Sequence, residues 1–164
     1  MYYNAKDIST YDTLLLRREV FLAGQSAYLF DASIQNNFNE YSGYLSAKHR
    51  NIKESVSREA IQEYLDICCV NLPLDSDCKV LSGGERQRVF MAINLYVAAT
   101  TAKVIMLDEP TSALDSDTAD LIIANIKSYC ERTKRTLIVV SHDRTIADKY
   151  ADNMIVLESR AENE

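Results

Sequence analysis

Apolar and polar positions change their spacing three times along the chain. Residues 1–11 are mostly polar and end at Tyr11-Asp12, which suits a short strand and loop at a domain edge. The run Arg18-Glu-Val-Phe-Leu-Ala-Gly24 is β-prone and closed by a glycine, and predicts a strand. Gln25–Ser33 follows as a loop. From about Ile34 to Asn94 the spacing is helical, most clearly over Ser57–Cys69, where Ile61, Tyr64, Leu65 and Cys68 share one face. Glu40–Ser57 is rich in Tyr, Ser and charge and predicts an exposed stretch, and Pro73 marks a loop before Leu81.

Beyond Val104 the pattern alternates. Apolar runs at Val104–Leu107, Thr136–Val140 and Met154–Leu157 are separated by helical spacing over Ala119–Glu131 and Thr145–Tyr150. In the first of these helices Ile122, Ile126 and Cys130 recur at helical intervals. Strand, helix, strand, helix, strand at these distances predicts an α/β fold with a mainly parallel sheet and flanking helices. The helical middle of the chain reads as an inserted subdomain.

Composition narrows the chemistry. A chain of 164 residues is one domain or part of a larger one. Its 18 basic and 24 acidic residues leave a net charge of −6 with no basic cluster, which argues against nucleic acid or an anionic membrane as the main partner. Only 4 glycines occur, Gly24, Gly43, Gly83 and Gly84, and none precedes a lysine. A GxxxxGK-S/T phosphate loop and a GxGxxG dinucleotide fingerprint are therefore both absent from these residues. Cys68, Cys69, Cys78 and Cys130 form no CxxC pair, and His49 and His142 stand in no zinc-like spacing with them. They read as reduced thiols of a cytosolic protein. The N-terminal residues carry no signal-peptide core. The longest nearly apolar stretch, Val89–Ala99, is broken by Asn94 and falls short of the ~20 residues that a membrane span needs. A soluble chain is the expectation.

Two segments carry most of the chemistry. In Leu81-Ser-Gly-Gly-Glu-Arg-Gln-Arg88, Ser82 and Glu85 fit the S-x-x-E capping box that opens a helix. Two glycines just inside leave backbone N–H groups open at the positive end of the helix dipole, an arrangement suited to a phosphate. Val104-Ile-Met-Leu-Asp-Glu-Pro110 is an apolar strand that delivers two carboxylates at its C-terminal end, where parallel sheets bind ligands. Strand alternation turns Asp108 and Glu109 opposite ways, so one suits Mg²⁺, directly or through water, and the other a water molecule. Pro110 ends the strand. His142 closes the next apolar run, and Gln25 closes the earlier one. Taken singly, each has a bland reading; together they meet at one sheet edge.

These segments, in this order, resemble the ATP-binding cassette (ABC) ATPase family. LSGGERQR at 81–88, VIMLDEP at 104–110, SALD at 112–115 and IVVSHD at 138–143 are similar to its signature motif, Walker B strand, D-loop and H-loop. LRREVFLAGQSAYLFDASIQNN at 16–37 is similar to its Q-loop strand, with Gln25 as the glutamine, and the LFDASI portion resembles transporters, exporters in particular. The resemblance implies a partial P-loop NTPase core. Residues 1–33 would hold edge strands and the Q-loop, 34–95 a helical subdomain ending in the signature helix, and 96–164 the second half of the core.

The resemblance also implies roles. Ser82, Gly83 and Gly84, with Glu85 beside them, would contact ATP held by the opposite cassette of a head-to-tail dimer. Asp108 would support Mg²⁺, Glu109 would be the general base, and His142 would contact the γ-phosphate. Gln25 would link metal and water to a transmembrane permease, and Asp115 would cross the dimer interface. The protein would then sit at the cytoplasmic side of a membrane through its permease.

Several positions depart from the family pattern. No P-loop is present, and neither is the aromatic residue that stacks on adenine. Glu85 replaces the commoner Gln, and Ile93-Asn94-Leu95 stands where the family reads A-R-A-L followed by a proline. Asp75-Ser-Asp-Cys78 occupies the place of the exporter TEVGE sequence. The expectation is thus the C-terminal part of a transporter ATPase, inactive alone. Its lost strand would lie between the His142 strand and a Met154–Leu157 strand, leaving a free edge open to self-association. The alternative is a stand-alone, non-catalytic module that offers its LSGGE face to a complete cassette. A chromosome-type ATPase half is disfavoured, because no long coiled coil separates Gln25 from Leu81.

Overall fold

In the computed structural model, residues 2–45 and 55–157 are described. Much of the Tyr/Ser-rich stretch expected to be exposed, including His49, lies outside the described residues.

The chain opens with a minimal antiparallel hairpin, β1 (Tyr2–Tyr3) on β2 (Lys6–Asp7). Asn4 and Ala5 between them both adopt left-handed backbone, with φ of 47° and 60°, as the tightest hairpin turn demands. The predicted strand at 18–24 is shorter than expected, because a helix intrudes. The side chain of Asp12 accepts the N–H groups of Leu14 and Leu15 and starts α1 (Thr13–Glu19), so β3 is only Val20–Ala23. The apolar spacing of the Leu14–Leu16 run did not betray this helix; its cap did the work.

Three helices follow: α2 (Ile34–Leu45), α3 (Arg58–Ile67) capped by Ser57, and α4 (Gly83–Ala99) capped by Ser82. The four residues assigned to one face of the 57–69 helix are all buried. Then come β4 (Val104–Asp108), α5 (Ser116–Arg132), β5 (Thr136–Val140) and α6 (Arg144–Tyr150). The sheet is parallel in the order β3-β4-β5, with Val20 opposite Val104 and Val104 opposite Thr136. The α/β class and the parallel sheet read from the sequence are therefore what the chain forms. The third apolar run is not a strand: Met154–Leu157 has no regular secondary structure, and all four side chains are exposed. Those residues have the composition of a strand but, among the described residues, no neighbouring strand to pair with, and pairing rather than propensity makes a strand.

The core is organised around α4, where Val89, Met91, Ala92, Ile93, Leu95 and Val97 are buried on all sides of the helix. Such a helix must be covered all round. α2 and α3 cover one side, and the sheet face of Ala23, Ile105 and Leu107 closes the other. Asn94, also buried, donates to the Phe90 carbonyl at 2.7 Å within the helix. α5 adds Ile122, Ile126 and Tyr129 to the same core.

Among the described residues the opposite sheet face has no such cover. Leu22, Ile138 and Val140 lie on it with 62%, 42% and 49% of their surface exposed. Parallel sheets are normally buried on both faces, so this face is an apolar surface that water meets at a free-energy cost. Adjacent strands therefore give a sharp contrast. Ile105→Ala, at a site 1% exposed, is expected to cost about 2–5 kcal/mol in urea unfolding. Ile138→Ala, one strand away on the bare face, should cost about 1 kcal/mol or less.

Candidate functional site

The C-terminal ends of three parallel strands converge on one edge. Gly24 and Gln25 follow β3, Asp108 ends β4, and Ser141-His142 follows β5. Because the strands are in register, Ala23 opposite Leu107 and Asp108 opposite Val140, these residues emerge side by side. Ala23, Gly24, Gln87, Leu107, Asp108 and Pro110 line one small cleft there, so the residue before Gln25, the body of α4 and the end of β4 meet. Gln25 itself is exposed.

Glu109 does not simply alternate with Asp108. Its backbone is left-handed, with φ of 46°, while its N–H still bonds to the Val140 carbonyl at 2.9 Å. A β-carbon is disfavoured in that region by about 1–2 kcal/mol, so the sheet must hold the residue there. The result is that the Glu109 carboxylate meets His142, with Nδ1 of His142 2.8 Å from Glu109 Oε2. This close approach pairs Nδ1 with the carboxylate and leaves Nε2 as the ring nitrogen away from Glu109. The carboxylate is sheltered, its side chain 20% exposed, whereas the imidazole is 79% exposed and faces solvent. Strand reading alone placed the two residues on one edge; the contact between them depends on the left-handed turn.

The start of α4 is built as a full capping box. The Ser82 hydroxyl accepts the Glu85 N–H at 3.3 Å, and Glu85 Oε2 accepts the Ser82 N–H at 2.9 Å and its hydroxyl at 2.7 Å. The Ser82 hydroxyl and N–H together hold the Glu85 carboxyl below its ordinary range. A β-carbon on Gly83 would meet nothing within 4 Å, so its backbone is open to a ligand. Gly84 is more enclosed: a β-carbon there would touch the Ala113 carbonyl and Leu114 at 3.5 Å. The SALD segment thus packs beside the helix start within the same chain. Asp115 caps α5, its carboxylate accepting the Thr118 N–H at 2.9 Å, which lowers its pKa.

Sequence reasoning passed over two groups of residues at this site. Asn37 is completely buried beside the loop behind Gln25, and Arg86 donates to the Cys78 carbonyl just ahead of Ser82. An Asn sharing an apolar helix face with Ile34 and Phe38 was the available signal.

The donor set suits a hard divalent cation only in part. Among the described residues no cluster of three or more acidic, histidine or cysteine side chains could hold a metal unaided. Asp108 at the end of β4 and Gln25 two residues beyond the end of β3 are the residues that could hold Mg²⁺, which takes only one or two protein oxygens when phosphate and water supply the rest. Among the described residues no helix is long and apolar enough to cross a membrane.

Comparison with known proteins places this arrangement. The sequence profile described as ABC transporter matches residues 1–112. An ABC-type transporter, kk1G of Curvularia clavata, is 30% identical over 96% of this chain and 11% of its own length. The hemin import ATP-binding protein HmuV of Vibrio vulnificus is 30% identical over 94% of this chain, which spans 59% of that relative. Among solved structures, the dimeric bacterial ABC transporter cassette MJ0796 superposes with a TM-score of 0.69 at 26% identity, covering 90% of this chain and 64% of that one. The same cassette in a post-hydrolysis state bound to ADP and Pi gives a TM-score of 0.66. The chain is thus shorter than the relatives it matches, by more than a third of their length.

Ser82→Ala is expected to destabilise the chain by about 1 kcal/mol in thermal or urea unfolding. The Glu85 pKa is lowered, so its contribution is fully present above the ordinary 4.5 and is lost as the pH falls through the lower folded value. The difference between wild type and variant should therefore shrink as the pH falls below 4.5.

Proposed function

Starting from the fact that the chain belongs to the ABC transporter family, we propose that it is the signature-bearing part of a transporter nucleotide-binding domain. Its parent couples ATP binding and hydrolysis to transport. The observation that carries the reading is the Glu109–His142 pair at the C-terminal edge of the sheet, next to Asp108.

Glu109 is the general base. Its carboxylate is sheltered, and the His142 imidazole lies against it, with Nδ1 2.8 Å from Oε2. With Nδ1 beside Glu109, the Nε2 of His142 is the ring nitrogen that would reach the γ-phosphate. Asp108 and Gln25 would hold Mg²⁺, whose charge offsets that of the phosphates when nucleotide is bound. The backbone N–H groups at Gly83 and Gly84, with the Ser82 hydroxyl, face the nucleotide of a second cassette in a head-to-tail dimer, and Asp115 lies at that interface. A transmembrane permease is the further partner, placing the chain at the cytoplasmic membrane face.

A P-loop supplies the backbone cradle and the lysine that hold the phosphates, and residues 1–164 contain none. Alone, therefore, the chain binds Mg-ATP weakly or not at all and does not turn it over. A second reading is supported by the complete capping box and open Gly83: the chain serves, without catalysis, as a signature module for a complete cassette.

Calorimetry with Mg-ATP tests the proposal. The isolated chain is expected to show no micromolar binding and no phosphate release, and micromolar binding with turnover would overturn the incomplete-site reading. When a cassette segment carrying the P-loop is supplied, binding should appear. Glu109→Gln should then keep binding while lowering turnover by about 10²-fold or more. Binding of the isolated chain to an ATP-loaded complete cassette, lost with Ser82→Arg, would favour the second reading.

A further inference from the structure

The loop behind Gln25 and the segment ahead of Ser82 are far apart in sequence but stitched together in space. Cys78 N–H donates to the Ala32 carbonyl at 2.9 Å, Ile34 N–H to Ser76 at 3.1 Å, and Gln35 N–H to Leu74 at 2.9 Å. Ser33 and Asp77 form an antiparallel bridge. At the centre of this seam sits the side chain of Asn37, 0% exposed. Its Oδ1 accepts the Phe30 N–H at 2.8 Å. Its Nδ2 lies 3.0 Å from the Ser33 carbonyl, 3.2 Å from that of Phe30, 3.3 Å from that of Ala32 and 3.4 Å from Cys78 Sγ. Two amide protons serve four acceptors, so the group is saturated as a donor.

The seam continues into α4. Arg86, one turn inside the helix, donates through Nη1 to the Cys78 carbonyl, while its own N–H bonds to the Ser82 carbonyl at 2.9 Å. Burial pushes the Cys78 thiol up, so it stays protonated and serves Asn37 as a neutral acceptor. An unbroken chain of bonds thus runs Phe30–Asn37–Cys78–Arg86, from behind the glutamine to the helix start that carries Ser82.

We propose that Asn37 is a positioning residue, which with Cys78 and Arg86 clasps the loop behind Gln25 to the first turn of α4, so that the two stretches move as one body. Its functional meaning, coupling the Gln25 loop to the phosphate-facing glycines, rests on the reading above; its mechanical content does not. Removing the Asn37 amide leaves the half-buried Phe30 N–H without its acceptor and cuts the link to Cys78, and both losses loosen the seam.

Native-state amide exchange on the full chain, read by NMR, tests the clasp. Asn37→Ala and Arg86→Ala are each expected to speed exchange at Phe30, Cys78 and residue 86 together by about tenfold. Ile105, Leu107 and Ile126 should keep their protection. The double variant should show less than the product of the two effects, as coupled sites do. If each substitution acts only at its own end, or the effects multiply independently, the clasp is refuted. Should Asn37→Ala strip protection from Ile105 and Ile126 as well, Arg86→Ala alone decides, by whether Phe30 responds. No nucleotide enters the measurement, so its failure leaves the ATPase reading standing.

Discussion

Burial of α4 on every side is the constraint from which the other placements follow. A helix buried on all sides has no face to give to water, so α2, α3 and the sheet pack around it, while α5 adds to the same core. Its first turn is the exception. There Ser82, Gly83 and Glu85 stand at the surface, capped and open, at the end of an element that the core holds still. A phosphate-facing helix start is useful only if it is held in a defined place, and here the hydrophobic core does the holding. Ile93 and Leu95 therefore matter to Ser82 although they lie three turns away.

The sheet makes a second use of the same packing. Parallel strands in register bring Gln25, Asp108 and His142 to one edge whatever their side chains are. What converts that proximity into a pair is the left-handed backbone at Glu109, held by its bond to Val140. Local strain of this kind persists only where the surroundings over-determine it. The bare face of the sheet, with Leu22, Ile138 and Val140 exposed, shows that the same three strands are only half covered by these residues. Side chains alternate strictly along a strand, so covering one face does nothing for the other.

Much of this was legible from residue order. Alternating apolar runs and helical spacing led directly to β4, α5, β5 and α6, and S-x-x-E led to the cap at Ser82, because each depends on interactions within a few residues. The failures have one cause. Met154–Leu157 has strand composition but remains unpaired, and Val20–Ala23 is shorter than its apolar run because the Asp12 cap claims the preceding residues for a helix. In both, the outcome depends on a partner or a competing cap that periodicity does not count.

Residue order by itself determined the motifs, the α/β class and the strand ends on which Gln25, Asp108, Glu109 and His142 sit, since spacing and propensity are local. Tertiary structure alone decided that Glu109 meets His142, that Gly83 is open while Gly84 is enclosed, and that Asn37 joins Phe30 to Cys78. Those contacts link residues brought together only when the core closes around α4, and hydrogen bonds that require alignment to a few tenths of an ångström cannot be set before it does.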